Sequence, residues 1–267
     1  MIIYIIYNYY YSFFIAKNFL KTNRIRYYFI KNTFNKFINQ LPYYNHSHKY
    51  SNKIFWCWFQ GKEDIPKLYQ ACLNSIKNNI KGYEIIIISE DNMNLYVHFP
   101  SYIIKKFKNN IISKTHFSDL LRLELLIKYG GTWIDASVLI TKYNETFFNK
   151  DLFFFQDFYN KNTVGSSWFI SSEKDSPILK TTLDLLYEYW RKNNILFNKY
   201  FSDFKKVIKV SNREVHILQS KLLDKYIDNE YKKILDNASV HKLTIKITNI
   251  EKGLFYHHII EEYLNEI

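Results

Sequence analysis

The sequence predicts an α/β fold with a mainly parallel central sheet flanked by helices. Short apolar segments alternate with amphipathic helical segments between Ile54 and Ile140, an order typical of parallel sheets. Hydrophobic residues make up 47% of the 267 residues, which is enough for a sizeable core. Only 6 Gly and 4 Pro occur, and this composition argues against a linker-rich or disordered chain.

Two apolar segments and the helix between them begin the predicted sheet. Ile54 to Phe59 is predicted as a short buried strand, and the following loop ends at Pro66, a residue favoured in the first turn of a helix. Glu84 to Ile88 is predicted as a second strand, apolar from Ile85 onward. The helix between them carries one apolar face, formed by Leu68, Cys72, Ile76 and Ile80.

The most informative segment is a helix, a glycine pair and a strand. Ser113 is a suitable N-cap, and Gly130 and Gly131 are predicted to end the helix because glycine adopts left-handed backbone geometry readily. Side chains from Thr132 to Ile140 then alternate in polarity, which predicts a strand. The helix is predicted to bury Phe117, Leu120, Leu121 and Leu125.

Three charged residues stand out in this segment. Asp119 and Arg122 are three positions apart on the helix, so they occupy neighbouring turns. Asp135 lies in the strand and points away from its most apolar face. A buried carboxylate without a partner is costly, so a metal ion or a ligand hydroxyl is expected beside Asp135. An acid, a base and a strand-end carboxylate in this order can bind a sugar nucleotide.

The remaining predicted elements rest on shorter patterns. A helix is predicted over 100–108, strands over 152–155 and 167–170, and a helix over 177–192. From about Phe197 onward the periodicity weakens. Cys57 and Cys72 form no metal-binding pattern and are expected to be buried free thiols, consistent with a reducing compartment.

The positive charge is concentrated at the start of the chain. The net charge is +12, yet no Asp or Glu precedes Glu63, and the first 62 residues hold nine Lys or Arg. The remaining 28 basic and 25 acidic residues leave only +3. We therefore divide the chain into a basic, aromatic arm over 1–52 and a single domain over 53–267.

The arm has features of an interfacial membrane anchor. Met1 to Ala16 is uncharged and rich in Ile, Tyr and Phe, but it is shorter than the roughly 20 residues of a spanning helix and lacks a signal-peptide pattern. Four basic residues follow it, which favours an anionic membrane surface. The alternative is a helix or strand packed on the domain. Nucleic-acid binding rests on charge alone, without a motif. The four basic residues are Lys17, Lys21, Arg24 and Arg26.

Five short segments carry a family resemblance. They are KIFWCWFQG at 53–61, IP at 65–66 with CLNSI at 72–76, SDLLR at 118–122, YGGTWIDASVLIT at 129–141 and HKLTIK at 241–246. In this order they resemble the capsular polysaccharide synthesis protein family, which looks like a branch of the glycosyltransferases with a sugar-binding DXD region.

The resemblance implies a GT-A-like nucleotide-diphospho-sugar transferase fold. It implies transfer of a sugar from a nucleotide-sugar donor to a growing capsular or other cell-surface glycan, with an acceptor expected to be lipid-linked. A divalent metal, Mn²⁺ or Mg²⁺, is usual. With the basic arm, the expected location is cytoplasmic, peripheral on the inner face of the bacterial inner membrane.

Site roles follow from the resemblance residue by residue. Asp119, Arg122 and Asp135 would hold the donor sugar. Trp56 and Trp58 lie where related enzymes stack the nucleotide base, although a core tryptophan is an equal alternative. The nucleotide-binding residues implied by the resemblance are Trp56, Trp58, Gln60 and Lys246, the last neutralising the leaving diphosphate.

The implied metal site has one unusual position. Asp135 would be the first acid of the DXD-type motif, but Ser137 replaces the second acid. Hard cations prefer carboxylate oxygens, so Ser137 would ligate weakly or through water. His241 is the candidate for a third ligand, with a structural histidine as the alternative. The metal ligands are therefore predicted as Asp135, Ser137 and His241.

Catalytic roles stay open at this level. His116 precedes Asp119 by one turn and is a candidate to reach the site. The candidates for a general base follow later strands and are Asp157, Glu173 and Asp175. The competing function is a non-catalytic envelope-assembly protein with a degenerate transferase fold. Ser137 motivates that alternative, whereas Asp119, Arg122 and Asp135 argue against it.

Overall fold

The computed structural model describes residues 35–37, 39–155, 166–191, 216–218, 235–236, 238–243 and 255–264. Predictions for residues 1–34, Asp157 and Lys246 therefore lie outside the described residues. Within the described ranges the strands are β1 (Lys53–Cys57), β2 (Glu84–Ile88), β3 (Gly131–Ile134), β4 (Val138–Ile140), β5 (Leu152–Phe154), β6 (Phe169–Ser172), β7 (His216–Leu218) and β8 (Val240–Leu243). The helices are α1 (Lys67–Asn79), α2 (Met93–Tyr96), α3 (Ser101–Lys108), α4 (Lys114–Tyr129), α5 (Pro177–Arg191) and α6 (Phe255–Leu264).

The central sheet has the strand order β2-β1-β3-β6-β5. β1 pairs in parallel with β2 and β3, and β6 pairs antiparallel with β3 and β5. The α/β class is confirmed, and the sheet is mixed. The parallel half brings the carboxyl ends of β1, β2 and β3 to one edge, where α/β proteins bind ligands.

Helices cover both faces of this sheet. Phe55 and Trp133 pack with α4 and parts of α3 and α5 on one face. Ile54 and Trp56 pack with α1 on the other face. The buried residues of α4 include all four that the periodicity predicted, Phe117, Leu120, Leu121 and Leu125.

The predicted strand over 132–140 is two strands. The backbone N–H of Val138 donates to the carbonyl of Asp135 at 3.0 Å, so the chain turns at 135–137. β3 stays in the central sheet, whereas β4 joins a second sheet of order β4-β8-β7. Polarity alternates through the turn as it does in a strand, so the sequence pattern does not reveal the break. The weak pattern after Phe197 also left α6 and the second sheet unpredicted.

The helix that carries the predicted site residues begins and ends as expected. The Ser113 side chain accepts a hydrogen bond from the backbone N–H of His116 at 3.3 Å. Gly130 and Gly131 adopt φ of 67° and 98°. A Cβ on Gly131 would lie 2.5 Å from the carbonyl oxygen of Lys53. Glycine here lets β3 approach β1 closely.

Part of the predicted arm contacts the domain. The hydroxyl of Tyr44 donates to Asp184 Oδ2 at 2.8 Å, and the backbone N–H of Ser47 donates to the fully buried Glu173 at 2.8 Å. Residues around 44–50 are therefore attached to α5 and to the end of β6. No helix among the described residues has both the length and the apolar character needed to span a membrane.

We predict that Gly131→Ala destabilises the protein more than Gly82→Ala does. Both glycines have positive φ, but a Cβ on Gly82 meets nothing within 4 Å. Backbone strain applies to both variants at roughly 1–3 kcal/mol, and overpacking adds about 1–3 kcal/mol at Gly131 alone. Urea unfolding followed by circular dichroism measures the difference. Equal destabilisation would contradict the close approach of β3 to β1.

Candidate active site

The candidate site lies where β3 leaves the central sheet. Asp135 follows β3 directly, and its backbone N–H donates to the carbonyl of Trp168 at 2.8 Å. Because β1 runs parallel to β3, its last residue Cys57 and the following Trp58 lie at the same edge. α4 packs on the face that carries Trp133, so its charged residues can reach this edge.

Arg122 is the buried cation of the site. Its side chain is 4% exposed, and its guanidinium lies 5.0 Å from the centre of the Trp133 ring. Nε donates to the carbonyl of Ser118 at 3.1 Å, and Nη1 donates to the carbonyl of Ser167. These contacts fix the orientation of the guanidinium plane.

The same guanidinium faces two carboxylates. Arg122 Nη2 lies 3.2 Å from Asp119 Oδ1 and 3.6 Å from Asp135 Oδ1. The structure therefore brings together the three residues that the resemblance implied for the donor sugar. Their sugar-binding roles stay predictions.

Asp135 has two further partners, as the cost of burying a carboxylate requires. Trp133 Nε1 donates to Oδ1 at 2.8 Å, and Lys242 Nζ donates to Oδ2 at 2.9 Å. Burial by itself would raise the pKa of Asp135, but the charges of Lys242 and Arg122 and the Trp133 hydrogen bond outweigh it and lower the pKa to about 2. Asp135 is therefore a fixed anion.

Asp119 is the more accessible carboxylate. Its side chain is 32% exposed, compared with 26% for Asp135. Burial raises the pKa of Asp119, with Asp135 adding to the rise and Arg122 opposing it. Asp119 thus presents carboxylate oxygen at the surface, and the buried guanidinium of Arg122 fixes its position.

Lys242 is the residue that sequence reasoning missed. Its ammonium also donates to Ser137 Oγ at 2.6 Å, so it bridges the two positions that were predicted to hold a metal. The family resemblance of the segment HKLTIK predicted roles for His241 and Lys246 only. The pairing of Val138 with Lys242 decides which residue faces Asp135, and sequence alone does not give that register.

His241 lies in a different environment from Asp135. Successive side chains of a strand point to opposite faces, and its neighbour Lys242 takes the face toward Asp135. The His241 side chain is buried, with Nε2 2.9 Å from the carbonyl oxygen of Ala238 and 3.4 Å from Thr141 Oγ1. The structure does not bring His241 to the carboxylate, and its metal role stays a prediction.

The residues around Asp135 suit an ammonium better than a divalent cation. Both carboxylate oxygens already face cations or a donor, and Ser137 supplies a hydroxyl only. Mn²⁺ and Mg²⁺ favour several oxygen ligands, carboxylates above all. Among the described residues, the one group of three His, Cys, Asp or Glu with ligand atoms within 4.8 Å of one another is elsewhere, at His48, Asp151 and Glu173.

That second group lies at the opposite edge of the sheet. Glu173 follows the end of β6, whose Ser172 pairs with Gly131 at the start of β3. His48 Nδ1 lies 3.2 Å from Asp151 Oδ1, and Glu173 Oε2 accepts the backbone N–H groups of Ser47 and His48. These groups hold residues 46–48 on the domain.

The predicted nucleotide residues differ in exposure. Trp56 is fully buried, as the core alternative predicts. Trp58 is half-buried, lies 4.9 Å from Tyr69 between ring centres and donates from Nε1 to the carbonyl of Asp64 at 3.1 Å. Gln60 is exposed beyond β1. Trp58 and Gln60 therefore present surface at the edge that carries Asp135.

The other candidates lie in several places. His116 contacts the Ser113 cap at 2.8 Å through Nδ1 and packs against Trp190. Glu173 is fully buried among the backbone groups of residues 47–48, and Asp175 lies 2.8 Å from Lys180. Glu173 and Asp175 follow β6 at the sheet edge opposite Asp135, whereas His116 lies on α4, close enough for its charge to oppose the burial that raises the pKa of Asp119. Cys72 is buried and Cys57 is half-buried, and both are free thiols.

A sequence model described as capsular polysaccharide synthesis protein matches residues 8–259. The chain belongs to this family. The match spans the basic segment as well as both sheets, so the family assignment covers almost the whole chain. Comparison with curated proteins gives no match.

Solved structures give distant similarities to this family member. The "PaToxG Glycosyltransferase" has 19% identity and a TM-score of 0.40, covering 64% of this chain and 73% of its own. The glycosyltransferase GlyE of Streptococcus pneumoniae TIGR4, in its apo form, has 10% identity and a TM-score of 0.44, covering 81% of this chain and 64% of its own. A second GlyE structure has 9% identity and a TM-score of 0.41, with 82% and 64% coverage.

We predict that Asp135 contributes stability that is lost in acid. Its pKa is lowered from 3.8 to about 2 in the folded protein. The contribution is therefore complete above the unfolded pKa and disappears as the pH falls through the folded value. The stability advantage of the wild type over Asp135→Asn should shrink by roughly 1 kcal/mol between about pH 5 and about pH 3.

Urea unfolding at each pH measures this difference, because the other carboxyl groups largely cancel between the two proteins. An advantage that stays constant or grows with acid would contradict the ion cluster around Asp135.

Proposed function

We propose that the protein is a glycosyltransferase that moves a sugar from a nucleotide-sugar donor to a cell-surface glycan. The observation that carries the proposal is the cluster of Asp119, Arg122 and Asp135 at the carboxyl edge of the parallel strands. Membership of the capsular polysaccharide synthesis family supports the same activity.

The cluster suits the hydroxyl groups of a sugar. Each hydroxyl donates one hydrogen bond and accepts others. Asp119 and Asp135 supply accepting oxygens that are about a third and a quarter exposed, at 32% and 26%. Arg122, at 4% exposed, orients both carboxylates through charge-assisted contacts. Hydrogen bonds of this kind are worth most where burial limits the competition of water.

The nucleotide is proposed to lie beside the sugar at the end of β1. Trp58 is half-buried there, and its ring centre lies 4.9 Å from that of Tyr69, with the two ring planes tilted by 36°. Its accessible surface can stack on a base. Gln60, exposed in the turn after β1, can hydrogen-bond the base or the ribose. Trp56, being fully buried, serves the core that supports this surface.

The acceptor is proposed to be a lipid-linked glycan at an anionic membrane surface. The support is the charge distribution: nine basic residues and no acidic residue in the first 62 positions. Each basic residue near an anionic surface contributes about 1 kcal/mol of attraction. The aromatic residues of Met1 to Ala16 suit headgroup depth.

We predict that replacing Lys17, Lys21, Arg24 and Arg26 by Gln weakens binding to phosphatidylglycerol vesicles at least about tenfold. Cosedimentation measures the binding, and vesicles of phosphatidylcholine alone give the uncharged control. Equal binding of both proteins to both vesicles would contradict a membrane role for the arm.

A second candidate function is a non-catalytic envelope-assembly protein built on a transferase fold. The observation that favours it is Ser137, which stands where a second acid is expected and accepts a hydrogen bond from Lys242 at 2.6 Å. The two candidates differ in turnover. A non-catalytic protein binds the donor at most, whereas a transferase also releases the nucleotide.

Thermal unfolding in the presence of different sugar nucleotides tests the main proposal. We predict that at least one of the UDP-, GDP- and CMP-sugars raises the melting temperature of the wild-type protein, because a ligand that binds only the folded state stabilises it. The measurement is made with EDTA and with Mn²⁺. No stabilisation by any sugar nucleotide in either condition, with the protein folded, would overturn the glycosyltransferase proposal.

Single substitutions test whether donor binding occurs at the proposed site. Asp135→Ala and Asp119→Asn should each weaken donor binding by about tenfold or more, since each removes a charge-assisted hydrogen bond. Asp184→Asn is the matched control. The Asp184 carboxylate also accepts a hydrogen bond, from the Tyr44 hydroxyl at 2.8 Å, but it lies on α5, away from the site. Release of nucleotide by the wild type but not by Asp135→Ala favours the enzyme over the non-catalytic alternative.

A further inference from the structure

We propose that the ammonium of Lys242 is the resident cation of the donor site and that nucleoside diphosphate binding requires no divalent metal. This inference rests on the proposed function. It concerns the position between Asp135 and Ser137, where a metal ion was predicted and where the structure has Lys242 Nζ.

The contacts of Lys242 occupy both predicted metal positions at once. Nζ lies 2.9 Å from Asp135 Oδ2 and 2.6 Å from Ser137 Oγ. The Lys242 side chain is only 16% exposed. A hydroxyl is a good partner for an ammonium donor but a poor replacement for a carboxylate around a hard cation. The presence of Ser137 in place of a second acid therefore fits a lysine at this position.

The backbone holds Lys242 at this position. β8 pairs antiparallel with β4, with Val138 opposite Lys242. The backbone N–H of Leu243 donates to the carbonyl of Ser137 at 2.8 Å. The Cα of Lys242 is thus fixed beside the turn that carries Asp135, and the side chain reaches the carboxylate from a regular strand.

The charges of the site are already balanced. Arg122 and Lys242 face Asp119 and Asp135, two cations against two anions. A divalent ion bound to Asp135 would have to displace the Lys242 ammonium, and the ammonium would then lie close to the ion without its carboxylate partner. Removing one partner of a largely buried pair is unfavourable because the other charge loses its compensation.

An ammonium can also bind the diphosphate. It has three N–H donors, and within the described residues Asp135 and Ser137 accept from two of them. The third donor is available to a phosphate oxygen. Lysine is a common point-charge ligand of phosphate groups in proteins, and the donor diphosphate must lie next to the sugar that Asp119 and Asp135 are proposed to hold.

Calorimetric titration with UDP and with GDP tests the proposal, in EDTA and in MnCl₂. We expect at least one nucleotide to bind the wild type in EDTA, with affinity within about threefold of that in MnCl₂. Binding that appears only with Mn²⁺ would overturn this inference and leave the glycosyltransferase proposal intact. Binding of neither nucleotide in either condition would overturn the inference and count against the proposed function as well.

Three variants assign the effect to Lys242. Lys242→Met should weaken nucleotide binding at least about tenfold in EDTA, because it removes a charge-assisted hydrogen bond. Lys242→Arg should recover most of the binding. Lys180→Met is the matched control. The Lys180 ammonium also pairs with a carboxylate, Asp175 at 2.8 Å, and its side chain is 28% exposed, but it lies near the opposite sheet edge. Unchanged binding by Lys242→Met would overturn the role of the lysine.

A Mn²⁺ titration followed by electron paramagnetic resonance, with the wild type and with Asp135→Asn, gives a readout that does not depend on the folding of Lys242→Met. We expect no tight Mn²⁺ binding that depends on Asp135, in the absence or presence of UDP. Any ion held by His48, Asp151 and Glu173 would be unaffected by Asp135→Asn, because that group lies at the opposite sheet edge. A tight site that Asp135→Asn removes would overturn the proposal, even if Lys242→Met does not fold.

Discussion

The buried guanidinium of Arg122 is the interaction on which the candidate site depends. It is 4% exposed and contacts Asp119, Asp135, the α4 backbone and the carbonyl of Ser167. A buried cation must have compensating partners, and these partners come from α4, from the end of β3 and from the residues before β6. Folding the central sheet against α4 therefore assembles the carboxylates, so the same contacts that stabilise the core also orient the surface proposed to bind the sugar.

A second cation, Lys242, completes this arrangement from a different sheet. β4 and β8 form their own ladder, and the turn at 135–137 connects it to the central sheet. Asp135 lies at that junction and accepts from Trp133 on one side and from Lys242 on the other. Its pKa of about 2 reflects two nearby positive charges that outweigh burial. A glycosyltransferase with this site would hold its diphosphate with side-chain charge, and its specificity would come from fixed donors and acceptors.

The sequence predicted most elements of the first half of the chain because their patterns are local. The α4 helix has a clear cap, four core residues and a glycine end, and β2 was predicted with its observed bounds. The sequence also predicted Asp119, Arg122 and Asp135 as one site from their spacing and the family resemblance, and the structure places them together while their roles stay predictions. It did not reveal the break after Ile134, because the turn continues the alternation of polarity. It selected His241 instead of Lys242, because only the long-range register of β8 against β4 decides which side chain faces Asp135.

The proposed donor site is tested most directly by a crystal structure, grown in EDTA, with the sugar nucleotide that stabilises the protein most. We predict hydroxyls of the donor sugar within hydrogen-bond distance of Asp119 or Asp135, with Arg122 unmoved between them and Lys242 Nζ beside a diphosphate oxygen. A donor bound away from the end of β3, or a site in which Arg122 has left Asp135, would contradict this prediction.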